Sequence, residues 1–483
     1  MNNHVDLQAM AKQIMMEHGF EPDFPDAVKQ QMAGIQTHPP LTASNGIRDL
    51  RGLLWSSIDN DTSRDLDQIE VVEKLNNGDV KVMVGIADVD AFVPKSCPID
   101  DHAAKETTTV YTGVCNFPML PEALSTGASS LLENEDRLSM VIEFVAAADG
   151  TVNSGTVYPA LVRNKAQLTY GAVGAWLEGT APAPPKVAAS ADLQSQLKLQ
   201  NQVAQALKTK RFQNGALNID TNEVHPILLN NQVVDVAKQE KNPATELIED
   251  FMVAANGVVA RLLEKVSSLR RIVRTPERWD RIVQLAATKG GHLPSEPSSK
   301  ALNDFLLQRK QADPDHFADL SLAVIKLIGP GEYVLERPGD PDPGHFGLAV
   351  QDYTHSTAPN RRFADVVTQR LLKALIAGKP NPYSDDELSA IARNCTDKED
   401  AARKVEREMS KRLAAVVMSN RIGEVFDAIV TGVTQHGTFV RVLKPHVEGL
   451  LAQGSQGLDV GDKLRVKLTR TDVQRGYIDF ARA

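Results

Sequence analysis

The chain has 483 residues, 42% of them hydrophobic and 24% charged, with a net charge of −9. That length exceeds what one hydrophobic core organises, so a multi-domain protein is expected, and the composition excludes a disordered, collagenous or coiled-coil chain. No apolar run approaches the roughly 20 residues that span a bilayer, and Met1–Asp6 lacks a basic head followed by an apolar core. A cytoplasmic, monomeric protein with no membrane partner is expected.

Cys97, Cys115 and Cys395 are odd in number and contain no C-x-x-C pair, which argues against disulfides and a zinc site. The negative charge by itself speaks against a nucleic-acid partner. It is unevenly spread, however. Residues 361–483 hold 21 Lys and Arg against 16 Asp and Glu, a surplus of +5 that leaves −14 for residues 1–360.

Residues 1–46 read as a short helical module. Leu7, Met10, Ala11, Ile14 and Met15 recur at helical spacing, Asp6 can cap the start and Gly19 can end the turn. A helix-turn-helix is one reading; a helical decoration of the next domain is the plainer one. From Asp67 the pattern turns to β. Ile69, Val71 and Val72 lead into Asn76-Asn77-Gly78, and Val80, Val82, Val84 and Ile86 alternate after it, the signature of a hairpin. Strands are also expected near 138–146, 152–162 and 226–236. The Pro-rich stretch 178–190 predicts a stiff exposed loop with neither central strand nor helix. Asn242-Pro243 opens a helix running to about Lys265, and further helices are predicted over 276–290, 300–328, 360–377 and 385–421. Five short strand signals after Gly423, separated by Gly and Asp turns, predict a five-stranded barrel of the oligonucleotide-binding type. The expected architecture is thus a short helical N-terminal module over 1–46, an α+β domain over 47–420 and a C-terminal five-stranded β-barrel over 421–483.

The densest acidic cluster outside a helix is Asp59-Asn60-Asp61-Thr62-Ser63-Arg64-Asp65-Leu66-Asp67-Gln68. Side chains at i and i+2 of an extended segment share a face, so Asp65 and Asp67 can converge, and Asp59 can return to them if the chain loops. Gathered carboxylates repel unless they protonate or capture a cation, and an all-oxygen donor set favours Mg²⁺ or Mn²⁺. A calcium loop of the EF-hand type is the weaker reading, because Arg64 stands where a sharp turn requires Gly and β-type sequence follows. Acidic residues that merely solvate a surface loop are the competing reading. A second constellation opposes it: His345-Phe346-Gly347-Leu348, then Tyr353-Thr354-His355 through Pro359-Asn360-Arg361-Arg362-Phe363-Ala364-Asp365. Pro359 precedes a helical pattern, which puts two guanidiniums beside a helix N-terminus, a favourable place for phosphate. Metal-seeking acids and a phosphate grip are the two halves of a phosphodiester-cleaving centre.

Arg48-Asp49-Leu50-Arg51 leading to Asp59 and Asp65-Leu66-Asp67, then Gly85-Ile86-Ala87-Asp88-Val89, Phe117-Pro118-Met119-Leu120-Pro121, Leu247-Ile248-Glu249-Asp250-Phe251-Met252, and Tyr353 through Asp365 occur in this order. Together they resemble the RNB catalytic domain of the ribonuclease II / ribonuclease R family over residues 47–420. Residues 421–483 are similar to an S1-type RNA-binding domain through Gly432-Val433, Gly437-Thr438-Phe439-Val440, Glu448-Gly449-Leu450-Leu451 and Val460-Gly461-Asp462.

The resemblance implies a magnesium-dependent exonuclease that takes the 3′ end of single-stranded RNA and releases nucleoside 5′-monophosphates processively by two-metal hydrolysis. It assigns Asp59, Asp65 and Asp67 to the metal, with Asp67 the most sensitive. Arg361 becomes the clamp on the scissile phosphate, supported by Arg362 and His355. Tyr111 and Glu406 are assigned to the RNA end, Glu249 to a ribose hydroxyl, and Phe439 to stacking on a base in the barrel. Three departures stand out. The acidic motif of the family ends in two Asp, whereas this chain has Asp67-Gln68, so weaker metal binding or a ligand borrowed from elsewhere, with Asp88 as a donor, is expected. Ile219 also stands where the family often has an aromatic. The family usually carries two cold-shock barrels before the catalytic domain, and 46 residues cannot hold one, so the RNA entrance is expected to be built differently. The alternative, supported by Gln68, is an RNA-binding or regulatory protein with a degenerate centre.

Overall fold

A computed structural model describes residues 6–35, 46–220, 224–229, 232–238, 241–341 and 343–483. Its centre is a seven-stranded sheet with the order Arg48–Asp49, Val152–Arg163, Asp136–Ala146, Val80–Ala87, Gln68–Lys74, Ser56–Asp59 and Ala166–Thr169. The predicted hairpin is present, with Gln68 facing Ile86 and Lys74 facing Val80, and Gly78 takes the positive φ of 91° that its turn requires. Alternation along these strands gives the sheet two apolar faces. Val72, Val82, Val84 and Ile86 pack in one core with Leu247, Phe251 and Ala255 of the helix Pro243–Leu262, while Trp55, Ile69, Val71 and Met83 form a second core on the other face. Burial on both faces explains why the strands are nearly continuous in apolar residues.

Asn242 caps the helix Pro243–Leu262 through a capping box with Thr245, as its sequence predicts. The expected helix over 300–328 is two, Ser299–Ala312 and Pro314–Ile328: Pro314 lacks an N–H and begins a new helix. The expected loop at 178–190 contains the short helix Pro185–Ala188, with proline tolerated at its first position, and the 23-residue helix Ala191–Gln213 follows it. The expected strand near 226–236 is the pair Val224–Leu229 and Gln232–Lys238.

The 35-residue helix Asp385–Ser419, about 50 Å long, connects the units. Its Val405, Met409 and Leu413 pack with Met10, Ala11, Ile14 and Met15 of the helix Leu7–Glu17 and with Val110. The N-terminal helix therefore decorates the larger domain, with Asp6 accepting from the Ala9 N–H as its cap. Residues 36–45 of the expected N-terminal module lie outside the described residues. Further along the long helix, Ala415 and Met418 enter the core of the closed barrel formed by Val425–Thr434, Gly437–Val442, Val447–Gln453, Tyr477–Arg482 and Lys463–Asp472. Arg441 of the barrel also grips both oxygens of Asp319 at 2.9 and 3.1 Å. Among the described residues no helix is long and apolar enough to cross a membrane.

Candidate active site

The acidic loop lies between the strands Ser56–Asp59 and Gln68–Lys74, which run antiparallel with Ser56 opposite Glu70. Ser130 holds the loop closed: its hydroxyl donates to the Arg64 carbonyl at 2.6 Å and accepts from the Leu66 N–H at 2.9 Å. Asp59 accepts from the Asn60 N–H at 2.7 Å and the Ser63 hydroxyl at 2.9 Å. Burial lifts the Asp59 carboxyl above its usual range, and those two donors pull it down.

Asp67 is 2% exposed and meets the second constellation across nearly 300 residues of sequence. One of its oxygens accepts from the Asn360 N–H at 2.9 Å, and the other lies 3.3 Å from Nε of Arg361. Burial pushes the Asp67 carboxyl up to about 7, against the pull of Arg361 and the Asn360 amide. Asp65 accepts from the Tyr111 hydroxyl at 3.3 Å. Asp67 thus meets Arg361 and Asp65 meets Tyr111, while among the described residues the three acids are not grouped closely enough to hold one ion.

Arg361 and Arg362 directly precede the helix Phe363–Ile376, as expected from Pro359. Their environments differ. Arg361 has about half of its side chain exposed, whereas Arg362 is committed to Asp365, donating to both its oxygens at 2.8 Å. His355, assigned to support Arg361, lies within the site but contacts a tyrosine. It lies 2.7 Å from the Tyr333 hydroxyl, and burial together with Arg362 and Arg271 drives its pKa well below the usual range. Asp88 is not a free donor either: Lys373 contacts it at 2.6 Å, and it caps a short helical turn through the Ala91 N–H.

Beside these groups lies a cavity of about 260 Å³, lined by Tyr111, Arg361, Arg362, His355, Arg403 and Glu406 among others. Glu406 of the long helix accepts from the Tyr111 N–H at 3.2 Å and so steadies the loop that carries the ring. Sequence reasoning missed Thr107, Thr108 and Thr109, which form another wall: the Phe363 N–H donates to Thr107 and the Thr109 N–H to the Arg361 carbonyl, fixing the arginine backbone from its far side. Three threonines ahead of a short strand carry no local signal of that pairing. Glu249 lines a different cavity, of about 460 Å³, together with Ile219, and it contacts Lys241 at 2.8 Å. In the barrel, Phe439 is half-buried and outside the core, whereas Phe426 is inside it; His436 is exposed.

The fold and this geometry define a two-part class: an α+β domain with an acid loop whose buried Asp67 faces an arginine, followed by an oligonucleotide-binding barrel. The RNB domain family matches residues 47–378, and the RNase II-type exonuclease C-terminal S1 domain matches residues 424–483. The chain belongs to the RNB-domain family. It is 30% identical to Ribonuclease R of Thermotoga maritima, an alignment covering 97% of this chain and 69% of that protein. Against Ribonuclease R of Escherichia coli the identity is 29%, over 95% of this chain and 60% of that protein. The chain therefore spans between three fifths and seven tenths of the length of these relatives. The apo form of Mycoplasma genitalium RNase R has the same fold, with a TM-score of 0.88 at 22% identity, covering all of this chain and 79% of that one.

Proposed function

We propose that this protein is a 3′-to-5′ exoribonuclease that removes nucleoside 5′-monophosphates processively from single-stranded RNA, with Mg²⁺ or Mn²⁺ as cofactor. The observation that carries the reading is the meeting of Asp67 with Asn360 and Arg361. Separate surfaces for Asp67 and the arginine would have removed this basis for hydrolysis; their contact supports it. The name Ribonuclease R, borne by the relatives, gives the reaction class.

The donors suit a hard cation, since Asp59, Asp65 and Asp67 offer only oxygen. Among the described residues no three Asp, Glu, His or Cys side chains are grouped closely enough to hold one ion, and Asp67 already has both oxygens engaged. Arg361 accordingly has two partners to choose between. Without RNA its charge offsets the buried Asp67; a scissile phosphate takes the guanidinium and frees the carboxylate. Two divalent ions, when bound, supply polarisation of the phosphate, an activated water and charge for the departing 3′ oxygen. Tyr111 offers its ring to the terminal bases while its hydroxyl stays on Asp65, linking end recognition to the acid loop. Arg362, locked to Asp365, holds the turn that aims Arg361, and Phe439 offers the barrel's stacking face.

The test is digestion of 5′-labelled oligouridylate with Mg²⁺ or Mn²⁺ by the parent and by Asp67→Asn. Mononucleotide release by the parent and retained binding without release by the variant are the expected results. Intact RNA under every metal condition, with binding retained, would establish the second reading, an RNA-binding protein with a degenerate centre, which Gln68 favours.

A further inference from the structure

The long helix Asp385–Ser419 has two working faces. Cys395, Glu399, Arg403 and Glu406 line the cavity beside Arg361, while Val405, Met409 and Leu413 pack on the helix Leu7–Glu17. The opposite wall of that cavity is the segment that leaves the helix Pro98–Glu106 through Thr107, Thr108 and Thr109 and continues into the strand Val110–Tyr111. Thr107 is held at a φ of 60°, a left-handed conformation that a β-branched residue keeps only where its surroundings impose it. One restraint lies ahead of it, the Phe363 N–H on the Thr107 carbonyl. The other lies behind it, at Glu106. Glu106 is buried; its Oε2 accepts from the Glu21 N–H at 3.0 Å, and its Oε1 lies 3.9 Å from the Lys398 ammonium of the long helix. Lys398 in turn donates to the Gly19 carbonyl at 2.6 Å and stands 4.3 Å from the centre of the Phe20 ring. Phe20 is buried in the core that Met15, Val110 and Met409 share.

Burial lifts the Glu106 carboxyl above its ordinary range and lowers the Lys398 ammonium, and each charge draws the other back towards ionisation. Neither side chain lines the cavity. Together they fasten one end of each wall to the same turn at 18–21, so a third piece of chain sets how far apart the walls stand. Tyr111 and Glu406, the groups assigned to the RNA end, lie further along those two walls and meet through the Tyr111 N–H at 3.2 Å. We infer that the turn at 18–21, gathered by Lys398 and Glu106, is a clip that fixes the spacing of the two walls and through it the grip of Tyr111 and Glu406 on the last nucleotides of RNA. Lys398 is then a positioning residue that acts without touching the RNA. This role rests on the exoribonuclease reading proposed above and adds to it the part of the chain that sets the grip.

The test compares the parent with Lys398→Met and Lys398→Arg in three readouts: binding of a pentauridylate, binding of a long oligouridylate, and the length of the last undigested product. Asn394, which donates to the Ala104 carbonyl at 2.7 Å, still ties the long helix to the other wall when Lys398 is replaced. Lys398→Met is expected to bind the pentauridylate about 10-fold more weakly, the order of one lost stacked base, and to leave a longer last product. The long RNA, which also engages the barrel, is expected to lose less. Lys398→Arg keeps the cation and its donors and is expected to restore both affinity and product length. If Lys398→Met fails to fold by circular dichroism, Phe20→Leu, which withdraws the ring beneath the ammonium, takes its place with a smaller shift in the same direction. A folded variant with parental affinity and product length, or with equal losses for both RNAs that follow its melting temperature, overturns the clip. A parent that binds the pentauridylate in a Lys398-dependent way but never shortens RNA overturns the nuclease reading and keeps the clip; a parent that neither binds nor shortens RNA overturns both.

Discussion

Asp365→Asn tests how the phosphate grip is built. Asp365 is fully buried in the first turn of the helix Phe363–Ile376; it accepts from the Ala358 N–H at 2.8 Å and takes both Arg362 donors at 2.8 Å. The Ala358 carbonyl in turn accepts the Arg361 and Arg362 N–H groups at 3.2 and 3.0 Å, so one carboxylate pins the turn that presents Arg361. The amide of the variant can still accept from Ala358, but it leaves the Arg362 guanidinium without a counter-charge. Breaking a buried pair from one side costs about 3 to 5 kcal/mol. Arg362 has 27% of its side chain exposed, and water can take up part of its charge, so a loss near the lower end, about 3 kcal/mol, is expected. Urea unfolding reads that loss, and the RNA digest reads the accompanying fall in cleavage as Arg361 loses its aim. The double variant Arg362→Met/Asp365→Leu should recover most of the stability, because no charge is stranded, but not the cleavage. If Asp365→Asn stayed within about 1 kcal/mol of the parent, as for a surface pair, and cut RNA normally, the argument that this pair organises the grip would be wrong.

Removal of the Tyr111 ring by Tyr111→Ala should weaken RNA binding by about 1 to 3 kcal/mol, the worth of a stacked base, and lengthen the last undigested product on a sequencing gel; Tyr111→Phe, which loses only the contact with Asp65, should keep the parental length. Phe439→Ala should weaken RNA binding by a similar amount with the barrel intact, whereas Phe426→Ala, at a buried core position, should cost about 3 to 5 kcal/mol of stability; equal effects on folding would show that Phe439 is a packing residue. Burial, with Arg271 adding to it, lowers the His345 pKa to about 4 from 6.5. Between those values the unfolded chain binds a proton that the folded one does not, so this residue's contribution falls as pH falls, by up to about 1.4 kcal/mol per pH unit. The stability difference between the parent and His345→Gln should shrink from pH 6.5 towards 4; a difference independent of pH would contradict the assignment. The Asp67 carboxyl, raised to about 7, acts in the opposite sense, its contribution falling as pH rises from about 4 to 7, which is why the comparison must be made between variants.

Periodicity and turn chemistry were enough to locate the hairpin at Asn77-Gly78, the capped helix after Asn242 and the five strands of the barrel, because each is set by residues close in sequence. The helix Ala191–Gln213 escaped notice because its face is mixed, its few buried residues being Leu193, Leu197, Gln200, Val203, Ala204 and Leu207. Residue types marked Asp59, Asp65, Asp67 and Arg361 as an acid cluster and a phosphate grip, and only the family resemblance weighed them against a plain solvated loop and gave them roles. What each side chain is free to do was fixed only by the fold. Arg361 remains half-exposed while the adjacent Arg362 is bound to Asp365, and burial, with Arg362 and Arg271 adding to it, holds the His355 pKa well below its usual range. Glu70 reads along the chain as one more polar residue in a strand, yet in the folded protein it is fully buried, and its carboxyl oxygens have no hydrogen-bond partner among the described residues. Local spacing determines which groups can form an element; burial and long-range pairing determine which charges remain uncompensated, and those are the groups left to act on a substrate or an ion.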